Sequence, residues 1–371
     1  MQYQNYQYYN QQQYPPQPQQ FNPQYRPPYQ PPKPVDPQKL KKQYETRLLR
    51  KKSSGLGFYV LAYFLSMNCI VAGLVIFAEI SLMLSGDINS FDVESFTSSM
   101  MSGPFYHYMS ILAAVVSAVV PALIYLKSSK THISDCIQVK SVKPTMLIAM
   151  TAMGMGLAMV ANIAADLVTQ NFSSLGFEYN LNMDSSSSSV FTNILYVIST
   201  AVTPAFAEEF AFRGILMGTL RKYGNSFAII TSAIMFGAMH GNIIQIPFAF
   251  ILGLIFGYID CKANSIIPSI IIHFVNNFYS VIMDIMQSQS VVTNHTFYII
   301  YYSLFVAMLV LGVLAFLYIM KKDKNFLSIS DTSNIVSLPL KEKISSFFTS
   351  AGVIVVVSIF IIETIGTLFI L

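Results

Sequence analysis

About nine apolar stretches, divided by short polar connections, follow one another along this chain. They lie at roughly 56–84, 105–126, 144–168, 190–220, 226–242, 246–261, 266–286, 297–320 and 348–371. Most approach the ~20 residues that an α-helix, rising 1.5 Å per residue, needs to cross a bilayer's hydrocarbon core. The pattern therefore predicts an all-α fold, a polytopic transmembrane helical bundle of about eight to nine spans. The stretches at 226–242 and 246–261 are the shortest of the set.

The chain before the first stretch differs in kind. Residues 1–37 are Gln, Tyr, Pro and Asn with almost no aliphatic side chains. Such a segment buries too little apolar surface to offset its ordering entropy, which predicts a disordered tail. It has no apolar centre like that of a signal peptide, and no cleavage site follows the first stretch, which reads as an uncleaved signal-anchor helix. Between them, KLKKQYETRLLRKK (Lys39–Lys52) makes 38–55 a basic juxtamembrane segment, a cytoplasmic-side anchor. The transmembrane bundle then fills 56–330. Residues 331–371 supply a further cytoplasmic loop and a C-terminal transmembrane helix.

Charge orders the connections. If the N-terminus is cytoplasmic, every lysine and arginine from Lys127 to Lys343, apart from Arg213, falls in a cytoplasmic connection. The opposite connections carry Asp87, Asp92, Glu94, Glu178 and Asp184 and no basic residue. The positive-inside rule is obeyed at each turn, which predicts an odd number of spans and a C-terminus outside. Composition agrees with a membrane class: 53% apolar and 11% charged residues, with mean hydropathy +0.51, against about 25% charged in soluble domains. The net charge of +4 reflects basic residues beside apolar segments and implies no nucleic-acid partner. Cys69, Cys136 and Cys261 form neither a CxxC pair nor a disulfide framework. With tryptophan absent, tyrosines such as Tyr298, Tyr301 and Tyr302 serve the membrane interface. Nothing in the pattern fixes an oligomeric state.

An ionisable side chain at membrane depth costs at least ~2.5 kcal/mol and by default marks function. Those inside the stretches include Glu79, Asp166, Glu208, Glu209, Arg213, His240, His273, Asp284 and Glu363, joined by Asn276 and Asn277. PAFAEEFAFRG (Pro204–Gly214) holds three of them. Glu209 and Arg213 stand four apart, in the order that favours an ion pair, and read as structural support. Glu208 is five from Arg213 and points elsewhere. The plain alternative is one stabilising network of all three. In FGAMH, Phe236 and His240 share a helix face. Counted from the turn at Lys222–Ser226, Glu208 lies 14 residues back and His240 14 residues on. An antiparallel hairpin places both ~21 Å from that turn, so they can face each other. In HFVNN, His273 and Asn277 share a face at a comparable depth, with Asp284 one heptad on. Alone, that stripe would read as a helix contact. Glu79, Asp166, Asp284 and Glu363 are given no catalytic role.

These groups suit amide hydrolysis. A glutamate beside a histidine can hold and deprotonate a water, and a second histidine with an asparagine amide can donate to a developing oxyanion. No serine or cysteine sits in a nucleophile motif. The same donors permit Zn or another divalent metal, held by Glu208, His240 and His273, although no HExxH is present and the ligands lie on three helices. The residues alone do not decide between the two.

Taken in order, EExxxR (Glu208–Arg213), FxxxH (Phe236–His240) and HxxxN (His273–Asn277) resemble the CAAX prenyl protease and bacteriocin-processing family of intramembrane endopeptidases, also called type II CAAX or abortive-infection proteins. The resemblance covers about 190–290. It implies that Glu208 and His240 activate the water, that His273 and Asn277 stabilise the oxyanion, and that Glu209, Arg213 and Phe236 support them. It also implies an integral protein of a bacterial plasma membrane acting on a membrane-associated protein or peptide, in CAAX-like processing or in bacteriocin maturation or immunity. The family is often labelled metalloprotease, and a metal-free glutamate mechanism is also proposed for it. Two other readings compete. A non-catalytic scaffold regulating an envelope enzyme would predict eroded motifs, and every position here is intact. A proton-coupled transporter would predict an internal repeat, which the sequence does not show.

Overall fold

The structure is a computed structural model that describes residues 36–85, 103–174, 189–331, 333 and 335–369. Residues 1–35 of the Gln/Tyr/Pro-rich tail, expected to be disordered, lie outside the described residues. The chain divides into two units, Met1–Lys41 and Lys42–Leu371. In the first, Asp36 caps the start of a helix: its Oδ1 accepts Gln38 N–H at 2.9 Å, with Pro37 at the first helical position.

The described elements are helices: α1 (Pro37–Ser85), α2 (Pro104–Ser129), the single turn α3 (Ile133–Cys136), α4 (Pro144–Ser174), α5 (Val190–Tyr223), α6 (Asn225–Ala238), α7 (Gln245–Ala263), α8 (Ile267–Ser288), α9 (Asn294–Lys322), α10 (Leu340–Phe348) and α11 (Ala351–Phe369). Seven of them, α1, α2, α4, α5, α7, α8 and α9, are long and apolar enough to cross a membrane, and α10 with α11 makes an eighth if counted as one span. The fold is the all-α membrane bundle expected, with two adjustments. The stretch at 226–242 gives a helix of only 14 residues, ~21 Å against a ~30 Å hydrocarbon core. The last stretch is preceded by α10, and the two are bent by 71°. Leu340–Phe348 mixes lysine, glutamate and serine with apolar residues, whereas α11 is largely apolar. The basic segment is helical and runs unbroken into the first span as part of α1.

Two apolar clusters build the interior. One joins α1, α2, α5, α6, α10 and α11 around Phe212, Phe227, Phe236 and Phe347. The other joins α4, α7, α8 and α9 around Met153, Met159, Phe256 and Ile272. Large side chains such as Leu123, Ile124, Val310 and Leu314 remain exposed, as a lipid-facing surface requires. Lipid tails are as apolar as leucine, so helices associate through close packing of small residues. Two glycine pairs do this here. A Cβ on Gly57 of α1 would stand 2.3 Å from the Gly352 carbonyl carbon of α11, and one on Gly156 of α4 would stand 2.8 Å from Gly312 Cα of α9. These contacts leave no room for a methyl group.

Candidate active site

The site is assembled at the seam of the two clusters, and α5 supplies its charges. This helix is not regular. It widens to i→i+5 turns at Ile198–Val202 and again at Glu209–Met217. Proline explains part of the first irregularity. Pro204 has no N–H to give Thr200, four residues back. The Thr200 carbonyl accepts instead from Asn277 Nδ2 on α8, at 3.1 Å. A proline in one helix thus fixes an amide on another. π-type widenings recur at functional sites. The second one here begins at the double glutamate.

Glu209 and Arg213 are 0% and 1% exposed, with Arg213 Nε 3.2 Å from Glu209 Oε2. The other Glu209 oxygen takes the Nδ1–H of His273 at 2.8 Å. A carboxylate can only accept, so this bond fixes the His273 tautomer and turns its Nε2 the other way. That nitrogen faces Glu208, whose Oε2 lies 3.9 Å from it. Glu208 is 14% exposed, which makes it the accessible member of the pair. The depth count set Glu208 and His240 opposite each other. Among the described residues, the ion-pair contact of Glu208 is with His273 on α8. The depth count assumed regular helices, and the wide turns of α5 rise less per residue than an α-helix. In addition, α6 ends at Ala238, two residues before His240.

His240 sits in the turn after α6. Its Nδ1–H donates to Phe236 O at 2.9 Å, satisfying a carbonyl that the helix end would leave without a partner. The carbonyl can only accept, so the neutral ring keeps its lone pair on Nε2. Gly241 follows with φ +60°, a left-handed conformation that glycine adopts without strain. The four-residue spacing of FxxxH is therefore the spacing that lets a histidine cap its own helix. The phenylalanine has a second job. Arg213 Cζ stands 4.2 Å over the Phe236 ring, and the Phe212, His240 and His273 rings lie 5.2, 5.1 and 6.2 Å from it. Phe256 of α7 covers the other side, 5.2 Å from Arg213 and 5.6 Å from His273. The buried guanidinium is held by aromatic faces as well as by Glu209.

Three further residues were assigned no role from the sequence, although Asp260 and Glu363 are ionisable residues inside apolar stretches. Asp260, buried in α7, accepts both Ser269 N–H (3.1 Å) and Ser269 Oγ–H (2.6 Å) in the first turn of α8. It caps α8 from a neighbouring helix, one turn before His273. Asp260→Ala is expected to lower stability by about 0.5–2 kcal/mol, with Asp260→Asn retaining most of it, measured by thermal unfolding in detergent. Tyr63 of α1 is 1% exposed and packs edge-on against Phe212 at 5.8 Å. Its hydroxyl has no hydrogen-bond partner among the described residues. Glu363 of α11 lies against the turn after His240: its carboxyl carbon is 2.6 Å from where a Gly241 Cβ would stand. Thr367 Oγ1 of the same helix donates to Gly241 O at 3.2 Å. Of the other ionisable residues inside the stretches, Asp284 accepts from Tyr196 OH at 3.0 Å, tying α8 to α5. Asp166 is exposed, and the Glu79 side chain lies outside the described residues.

Among the described residues, no three His, Cys, Asp or Glu side chains are grouped to hold an ion. Of the expected ligands, Glu208 and His273 approach one another, and the His240 and His273 rings both border Phe236.

Comparison with known families matches residues 190–279 to the type II CAAX prenyl endopeptidases described as Rce1-like. The matched segment runs from the start of α5 into α8 and contains all three motifs, so the resemblance read from them is borne out over these residues. No curated protein and no solved structure matches the chain.

Proposed function

We propose that this integral membrane protein is an intramembrane endopeptidase of the type II CAAX kind, hydrolysing a peptide bond in a membrane-associated protein or peptide. The observation that carries the reading is the charge division on α5. Within a segment matching that family, Glu209 is fully committed to Arg213 and His273, while adjacent Glu208 stays accessible beside the free edge of His273.

In this reading Glu208 takes a proton from water as the water oxygen bonds to the scissile carbonyl carbon. The Nε2 lone pair of His240 orients that water. Negative charge gathers on the carbonyl oxygen. Asn277 faces it with the Nδ2–H not given to Thr200, and His273, held by its Nδ1–H bond to Glu209, flanks Asn277 on the same face of α8. The C–N bond then breaks, Glu208 passes its proton to the leaving amine, and the water oxygen remains on the new carboxyl group. No step is routed through a metal. The substrate is processed in the CAAX-like manner or in the manner of bacteriocin maturation or immunity.

The test is cleavage. Wild type and His240→Ala, each in bilayer nanodiscs, are given lipid-anchored and hydrophobic peptides, and products are identified by mass spectrometry. The expected result is product from wild type and a large loss in the variant. Equal product from both would remove His240 from the mechanism. No product from either across prenylated and unprenylated panels would favour the scaffold reading.

A further inference from the structure

We infer that the groove between α1 and α2 is a binding site for an anionic glycerophospholipid. It encloses about 630 Å³ and lies apart from the residues described above. One end carries Lys51, Lys52 and Lys130, with the hydroxyls of Ser128 and Ser129 beside them. The other end is apolar, walled by Phe58, Ala62, Pro121 and Ile124, of which Phe58 and Ile124 are exposed. No acidic side chain lines it.

The two ends match the two ends of one kind of molecule. Lys52 is held in place: its Nζ donates to Thr131 Oγ1 at 2.9 Å and stands 5.2 Å from the Tyr125 ring centroid. Lys130 occupies the left-handed position that ends α2, which sets its side chain at the mouth. Three cations without a lining carboxylate call for an anion, and lysines where a span meets the headgroup layer recognise anionic lipid heads. The ten helical steps of α1 from Lys52 to Ala62 cover ~15 Å along the groove. A free phosphate would use only the mouth and leave that apolar length unfilled. A lipid fills both, with its phosphate at the lysines and one acyl chain along Phe58 and Ile124. Tyr59, which also lines the groove, donates its hydroxyl to Ala211 O of α5 at 3.5 Å. An occupant therefore rests against the helix that carries Glu208 and Arg213. The inference does not depend on proteolysis.

The experiment uses the full chain in detergent with phosphatidylglycerol and phosphatidylcholine of identical acyl chains. Native mass spectrometry reads retention, and a photoactivatable phosphatidylglycerol maps the contact. The expected result is preferential retention of phosphatidylglycerol, labelling of α1 and α2, and at least about a tenfold loss of retention in K51Q/K52Q/K130Q. Ile124→Trp, which fills the apolar end and keeps the lysines, is expected to lower retention as well. Equal retention of the two lipids, or labels elsewhere, would overturn the proposal. So would displacement of the lipid by millimolar inorganic phosphate, or unchanged retention in both variants. The wild-type preference and label position decide the matter even if the triple variant does not fold.

Discussion

Glu208→Gln is expected to slow peptide cleavage by about 10²- to 10⁴-fold, the range that a positioned general base supplies, while the protein unfolds at the wild-type temperature. The two halves of this expectation come from the same contrast. Glu208 is 14% exposed, and its ion-pair contact is a 3.9 Å approach to His273 Nε2, whereas Glu209 is 0% exposed and engaged on both oxygens. An amide of the same shape at 208 leaves no buried charge behind and breaks no short contact, so folding has little to lose. It does remove the proton acceptor. Single-turnover cleavage in nanodiscs, with thermal unfolding measured on the same preparation, checks both halves. A variant that cleaves within about twofold of wild type would take Glu208 out of the chemistry and shift the search to Glu363, which lies against the His240–Gly241 turn.

The division between what the sequence carried and what it did not follows physical lines. Long apolar runs must be helices in lipid because each backbone polar group has to be satisfied within the segment. The bundle was legible for that reason. The Glu209–Arg213 pair was legible because four residues separate neighbours on a helix face. Contacts that depend on irregular backbone were not. Nothing in the spacing announced that Pro204 would free the Thr200 carbonyl for Asn277, or that Glu208 would come within ion-pair distance of His273. Depth counts fail wherever the rise per residue changes. His240 was found by its motif, yet its geometry belongs to a helix end, which the apolar run 226–242 concealed. Asp260, Tyr63 and Glu363 come from three helices distant in the chain. Pairings of that kind are set by tertiary packing, and no local pattern encodes them.

Arg213→Ala is expected to be the most damaging single change to stability, costing about 3–5 kcal/mol, because it strands Glu209 as a buried charge. The guanidinium stands between Phe236 and Phe256, so its loss also opens space between two aromatic rings. Arg213→Lys keeps the charge but cannot reproduce a planar group stacked on a ring face, and is expected to fall between wild type and alanine. The informative variant is the double one, Glu209→Gln with Arg213→Met. Replacing both members of a buried pair by uncharged groups of similar volume is often neutral for folding, so most of the stability should return. Activity should not. Glu209 also holds His273 Nδ1 at 2.8 Å, and a glutamine there can present either its oxygen or its amide to the ring, so the tautomer and orientation of His273 are no longer enforced. Unfolding temperature and single-turnover rate are measured together. A double variant that recovers both would make the pair purely structural. One that recovers stability alone assigns Glu209 the positioning of His273, with Arg213 as the counter-charge that lets a carboxylate do so at membrane depth.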